Sequence, residues 1–326
     1  MLSADDVTTA YRILLNRDPS ESEIEHQSAD CATVLELRRA LLRSGEFQAH
    51  IVPQGRPHDW TPIRVDVDVS DDQLRQMIER IERKFHHLGE TEPHWSVLSI
   101  DRFRTENLDE AREDEFFESG SVDLRLLRAG AARCGIDLEE FRTCFELGCG
   151  LGRTTRWLAT QFEHVFAADI STSHLTLARA AMNRFGVNNV TLLHVNTINA
   201  LKGIPPFDVF LSVIVLQHNP PPVIAHLLRT VLGKLNPGGL AYFQVLTHHT
   251  DHRFDAAEYL ASEITLGHAE MHFMPQPAIF RIAEQAGCWP LEVREDSGEG
   301  NTNNLSQRFL FRKKQPRSEL AGNPLP

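Results

Sequence analysis

Residues 141–152 read Phe-Arg-Thr-Cys-Phe-Glu-Leu-Gly-Cys-Gly-Leu-Gly, an apolar strand running into three glycines with an acidic residue just before them. No other segment limits the fold as sharply. Glycines let a backbone turn tightly and approach a ligand where a Cβ would clash. The segment that follows, RTTRWLATQF, reads as a helix whose first amides are free to bind a carboxylate or phosphate. Strand, glycine turn and helix in that order belong to doubly wound α/β sheets, which bind ligands beyond the carboxyl ends of their strands. Two details separate this turn from a dinucleotide site. The spacing is G-x-G-x-G, with Arg153 where G-x-G-x-x-G needs its third glycine. A carboxylate at Glu146 also suits a cationic amino group better than a pyrophosphate.

The same alternation continues down the chain. HVFAADI, VTLLHV, FDVFLSVIVL and LAYFQVL read as strands, and SHLTLARAAMNRFG and PPVIAHLLRTVLGKL as helices between them. Strands of five to seven apolar residues separated by helices indicate a mostly parallel sheet covered on both faces. The expected fold is α/β: a doubly wound, mostly parallel seven-stranded sheet beside a small all-helical N-terminal domain.

Asp169 ends the second strand, 21 residues after Gly148, where a carboxylate can accept both hydroxyls of a ribose. That placement fits an adenosine ligand without choosing its cofactor class; capping the next helix is the plainer role. After the third strand, Asn196 or Thr197 stands where an amide or hydroxyl could meet an adenine edge, and Ser212 and Val213 end the fourth strand on the same crevice. Taken together, ELGCGLGRTT, AADIS, FDVFLSVIVLQH and LNPGGLAYFQV resemble the ordered motifs of class I S-adenosylmethionine-dependent methyltransferases over residues 141–312. The resemblance implies that Glu146 and the turn through Gly148, Cys149, Gly150 and Gly152 hold the methionine part, and that Asp169 with Ile170 holds the ribose. The product would be S-adenosylhomocysteine. The family's acidic residue near position 196 or 197 is missing. GCWPLEVREDSG and NLSQRFLFRKK suit the antiparallel pair that ends this fold. GETEPHWSVLS, LQHNPPPVIAH and EMHFMPQPAIF further resemble a bacterial subgroup of methyltransferases, some of whose members lie beside polysaccharide genes.

Methyl transfer to a hydroxyl needs alignment and a base. His218, just past the fourth strand, is the first candidate for that base; packing over the cofactor or capping the next helix is the alternative. The Asn219-Pro220-Pro221-Pro222 run reads as prolines opening a helix. His248, His249, Asp251 and His252, with Glu270 and His272, gather polar groups after the fifth strand. Their spacing matches no defined metal motif, so no metal is expected. His248 and His272 are placed instead at the acceptor pocket, with core packing as the alternative for the second. His94 and Trp95 are candidates for a lid over the crevice, or for plain aromatic burial.

Residues 1–50 read as a helical accessory domain. YRILLNRDPSESEIE and ELRRALLRSGEFQ resemble a short helical domain of unknown function found beside bacterial glycan-modifying enzymes and related to phycobilisome linkers, which implies docking to protein. Arg38, Arg39 and Arg43 read as a solvated helix face. Residues 51–69 read as a linker, 70–140 as a helical extension or lid, 141–313 as the cofactor-binding domain and 314–326 as a flexible tail. A formal charge of -12 argues against nucleic acid as a partner. No run approaches the ~20 apolar residues of a membrane span, no signal peptide is read at the start, and five scattered cysteines fit a reducing compartment. The expectation is a cytoplasmic enzyme methylating a small molecule, with a sugar or glycan precursor favoured. A non-catalytic docking protein that binds the cofactor, and a nicotinamide-dependent oxidoreductase, are the competing readings.

Overall fold

Successive side chains of a strand point to opposite faces, so a strand apolar at every position must be covered on both. The computed structural model describes residues 2–50 (48–50 by backbone alone), 64–249, 253–296 and 304–315. Of the expected linker and tail, residues 51–63 and 316–326 lie outside the described residues, as do Asp251 and His252.

The described residues fall into two compact units, one up to residue 50 and one from residue 64 onward. The first holds α1 (Ala4–Leu15), α2 (Glu21–Asp30), α3 (Val34–Arg43) and α4 (Gly45–His50). Ser3 with Asp6, Ser20 with Glu23 and Thr33 with Glu36 form capping boxes, each satisfying amides that a helix start leaves free. Val7, Tyr11, Leu37 and Leu41 meet with Leu2 and Cys31 in a small core of their own. The periodic stretch Val34–Phe47 reads as one helix but forms two, because Ser44 adopts extended backbone and its hydroxyl caps the second by accepting from the Phe47 amide.

In the second unit, α5 (Asp71–Thr91), α6 (Pro93–Val97), α7 (Glu110–Ser119) and α8 (Ser121–Arg133) precede the sheet. The sheet then alternates with helices: β1 (Thr143–Leu147), α9 (Thr155–Gln161), β2 (His164–Asp169), α10 (Thr172–Arg184), β3 (Val190–His194), β4 (Phe207–Ser212), α11 (Pro221–Lys234) and β5 (Leu235–His249). It ends with α12 (Ala256–Ala261), α13 (Gln276–Gln285), β6 (Cys288–Glu295) and β7 (Asn304–Lys313). The strand order is β3-β2-β1-β4-β5-β7-β6, parallel from β1 to β5, with β7 antiparallel to both neighbours. This is the doubly wound, seven-stranded arrangement that the alternation predicts, and it reverses direction between β1 and β4. A crevice at their carboxyl ends is therefore the expected ligand site.

Each strand divides its side chains between two cores. Phe145, Phe210, Phe243, Phe309 and Phe311 face one side, under α5, α11 and α13, while Cys144, Val209, Leu211, Tyr242 and Leu310 face the other, under α8 and α9. On the first side the rings of Phe243 and Phe309 stack at 5.4 Å and those of Phe145 and Phe207 at 5.1 Å. The N-terminal unit shares none of these core residues. Deleting residues 1–55 is accordingly expected to leave a chain that unfolds cooperatively at the temperature of the sheet unit in the full protein. A calorimetric scan of the truncated chain with no transition would contradict a separable unit.

Candidate functional site

The carboxyl ends of β1, β2 and β4 open onto a cleft of about 1140 Å³, counting its open mouth. Its floor is the glycine turn. Gly148 has φ +77° and Gly150 φ +52°, both in the left-handed region that a side chain disfavours. A Cβ on Gly148 would stand 2.3 Å from Val215, and one on Gly150 would stand 2.6 Å from Val97. The turn is glycine because neighbouring chain closes on it from β4 and from α6.

Two carboxylates flank this floor. Glu146 is buried at the end of β1, and its Oε2 accepts from the Thr155 hydroxyl at 2.5 Å. Burial pushes its pKa up to about 7, against the lowering effects of the Thr155 hydrogen bond and the Arg153 charge. Asp169, also buried, accepts from the Gly150 amide at 2.8 Å and the Ser171 amide at 2.9 Å. His174 Nδ1 lies 3.5 Å from the same carboxylate, and its Nε2 meets the Ser96 hydroxyl at 2.9 Å. Burial alone would raise the Asp169 pKa, but His174 and the two amides together hold it below the usual carboxylate range. The aspartate therefore stays charged where a ligand with hydroxyl donors would meet it.

The opposite wall carries His218 in a 3-10 turn after β4. Its Nδ1 is 2.8 Å from the carbonyl oxygen of Glu270, and since a carbonyl only accepts, Nδ1 carries the proton. The Nε2 lone pair is then the basic edge of a ring that lines the cleft. Burial lowers the His218 pKa below its ordinary value, outweighing the raising effect of that hydrogen bond; the charges of His272 and Lys84 lower it further. Ile214, just after β4, has φ +58°, a strained conformation for a β-branched residue, and the buried Gln244 side chain holds its amide at 2.9 Å. Ile78, Ile81 and Phe85 of α5 close the cleft from above.

The structure brings Glu146, Gly148, Cys149, Gly150, Asp169, Ile170, Thr197, Val213 and His218 together around this cleft. Other expected residues are placed elsewhere. A Cβ on Gly152 would meet Met182 at 2.7 Å, so that glycine lets the turn pack on α10. Asn196 donates its amide to Glu82 of α5 at 2.8 Å, and Ser212 donates to the Leu147 carbonyl at 3.1 Å, lacing β4 to β1. His94 and Trp95 are not in the cleft wall. His94 packs edge-on against Phe116 at 4.9 Å and the Trp95 ring lies under Arg104 at 4.2 Å, while their neighbours Ser96 and Val97 reach the cleft. His248 is not in a loop beyond β5: the strand continues to His249 because β7 pairs with it, His248 opposite Leu305. His272 is turned to Glu270 at 3.0 Å and likewise does not line the cleft.

His174, Ser96, Glu82 and Thr155 are absent from the sequence-level candidates. The Ser96–His174 and Glu82–Asn196 contacts join segments 78 and 114 residues apart, which no spacing rule announces, while Thr155 lies inside the motif nine residues after Glu146. Arg153, read only as a departure from a dinucleotide motif, lines the cleft and anchors the turn to α8 through Asp123 at 2.7 Å. Among the described residues no group of three or more His, Cys, Asp or Glu is arranged to hold a metal ion, and no helix is long and apolar enough to cross a membrane.

Residues 145–241 match the family model described as "Methyltransferase domain". No curated protein matches the chain. Among solved structures, the chain is similar to an S-adenosylmethionine-dependent methyltransferase from Clostridium acetobutylicum, at 14% identity over 63% of this chain and 95% of that one, TM-score 0.46. It is also similar to the N-methyltransferase NodS from Bradyrhizobium japonicum in complex with S-adenosyl-L-homocysteine, at 15% identity over 71% and 98%, TM-score 0.46. A third similar structure is magnesium protoporphyrin IX methyltransferase from Synechocystis with S-adenosylmethionine bound, at 14% identity over 70% and 97%, TM-score 0.45.

Proposed function

We propose that the chain is a class I S-adenosylmethionine-dependent methyltransferase, a reading supported by the match of residues 145–241 to a methyltransferase domain, and that it methylates a hydroxyl of a small molecule, with a sugar or glycan precursor as the acceptor. S-adenosylmethionine, when bound, would supply a methyl group on a sulfonium, a carbon open to direct displacement with S-adenosylhomocysteine as the leaving group. The residues present fit that cofactor: a cradle that a Cβ would fill, a charged Asp169 for ribose hydroxyls and a carboxyl at Glu146 for the amino group. The Glu82–Asn196 pair stands where the family's usual acidic residue is missing.

The observation that carries the acceptor reading is the His218 ring. Its proton sits on Nδ1, so Nε2 can take the proton of an acceptor hydroxyl, and its lowered pKa keeps the ring neutral at neutral pH. The net charge of -12 and the likeness of residues 1–50 to helical domains beside glycan-modifying enzymes support a small, glycan-related acceptor. On this reading the enzyme works in the cytoplasm and residues 1–50 dock it to a protein partner. One feature favours a second acceptor class. The apolar wall of Ile78, Ile81, Phe85, Leu201, Val223 and Leu227 suits an aromatic or aliphatic alcohol better than a polyol.

Three measurements test the proposal. Asp169→Ala should abolish S-adenosylhomocysteine binding in calorimetry; binding at wild-type strength removes Asp169 from the ribose role. In the free protein Glu146 is protonated below about 7, and only its charged form pairs with an ammonium, so binding there releases a proton. Affinity for S-adenosylhomocysteine should rise from pH 5 to about 7 and then level off, a dependence that Glu146→Gln abolishes; a flat wild-type profile contradicts this pairing. With tritiated S-adenosylmethionine and panels of nucleotide sugars and simple phenols, His218→Ala should lower transfer about 10²-fold while leaving cofactor binding intact. Undiminished transfer rules it out as the base, and the panel that accepts label decides between the two acceptor classes.

A further inference from the structure

Away from the cofactor cradle, buried charge concentrates where α5 meets the segment between α12 and α13. Arg80 and Lys84 stand one turn apart on α5, and both are buried. Arg80 donates to the carbonyls of Leu260 at 3.2 Å and Ser262 at 2.8 Å, with its guanidinium 4.7 Å from the centre of the Tyr259 ring. Lys84 pairs with Glu270. The other oxygen of that carboxylate accepts from the Tyr259 hydroxyl at 3.0 Å and meets His272 Nε2 at 3.0 Å. Burial would raise the Glu270 pKa, but His272 and Lys84 bring it down to about 2, so the carboxylate is ionised at any working pH.

Burying an ammonium against a half-buried carboxylate is costly, and a hydrophobic pair of the same volume often stabilises a fold as well. A cluster like this is better understood by what it orients. Residues 262–275 contain no helix or strand, so the path of this segment depends on its tethers. Two backbone contacts leave it toward the site: the His272 amide donates to the Gln217 carbonyl at 2.6 Å, and the Glu270 carbonyl receives the Nδ1 proton of His218 at 2.8 Å. With its carboxylate tied to a helix, a tyrosine and a histidine, Glu270 cannot move its carbonyl without breaking several charge-assisted bonds.

We propose that Glu270 is a positioning residue, whose carboxylate, held by Lys84, Tyr259 and His272, fixes the backbone carbonyl that sets the His218 tautomer and aims Nε2 into the cleft. This rests on the reading of His218 as the base, but the state of the ring can be measured without an acceptor. In the full-length protein labelled with ¹⁵N-histidine, His218 should show the Nδ1–H form. Glu270→Ala should convert it to a mixture dominated by Nε2–H, the form that the free side chain prefers. Glu270→Gln, which keeps the shape and much of the hydrogen bonding, should restore the Nδ1–H form. Lys84→Met and Tyr259→Phe each remove one tether, should shift the ring partway, and serve as the readout if Glu270→Ala does not fold. Binding of S-adenosylhomocysteine should stay within about twofold in all of them, since the cradle is not touched. Retention of the Nδ1–H form in Glu270→Ala, or in both single-tether variants, overturns the proposal. A parallel fall in S-adenosylhomocysteine affinity of about tenfold or more also overturns it, by revealing general collapse of the site. If His218→Ala leaves transfer intact, the base reading fails, and the tautomer measurement stands apart from that result.

Discussion

The Asp169 carboxylate at the end of β2 is where the parts of this site are joined. Its two oxygens accept from the amides of Gly150, in the turn after β1, and Ser171, at the start of α10. Behind it His174 reaches Ser96 on α6, the short helix whose Val97 lies against Gly150. The turn, the second strand and the cover above the cleft thus share one anion. A buried carboxylate is tolerated only when its acceptor capacity is met, and here two backbone amides and a histidine face it from the glycine turn and the first turn of α10. The glycine turn is bent toward β2 because that is where its amide finds a partner.

The fold was legible because its signals are periodic. Apolar runs of strand length, helices with amphipathic faces and a G-x-G-x-G turn after the first strand specify a doubly wound sheet, and the observed strand order is the one that such a chain adopts. The placement of Glu146, Gly148, Gly150 and Asp169 around the cleft was legible for the same reason: they lie at or just past strand ends, which the pattern locates. Side chains whose direction depends on a distant partner were not. Asn196 was placed at the right strand end, but Glu82, 114 positions earlier, takes its amide. His94 and Trp95 stand two positions before the residues that reach the cleft, Ser96 and Val97, which puts them on the other side of the helix. His248 falls beyond the expected end of the fifth strand because the pairing that lengthens β5 comes from β7, and pairing partners leave no mark on the strand itself.

The helix α5 shows how a correct pattern can still hide content. Leu74, Met77, Ile78, Ile81 and Phe85 mark its apolar face. Arg80 and Lys84 fall at the same three- and four-residue spacing as Met77, Ile81 and Leu88, and are as buried as that spacing implies. A cation on an apolar helix face is commonly read as snorkelling to solvent. Here both find carbonyls or a carboxylate in the segment after α12, so a single helix serves as roof of the cleft, as partner to Asn196 and as clamp on the loop behind His218.

The place of β7 has a consequence for how the molecule comes into being. Among the described residues it is the last strand in chain order, yet it lies inside the sheet, hydrogen-bonded to β5 on one side and β6 on the other. Until residues 304–313 have left the ribosome, β5 presents an unpaired edge from Leu240 to His249, and the Phe243 ring lacks its stacking partners Phe309 and Phe311. A long apolar strand with an open edge is a template for wrong pairing, with a second copy of the chain or with a neighbour. The nascent chain carries that hazard from the completion of β5 at His249 until β7 is made. It ends only when the final strand slides between two that are already made.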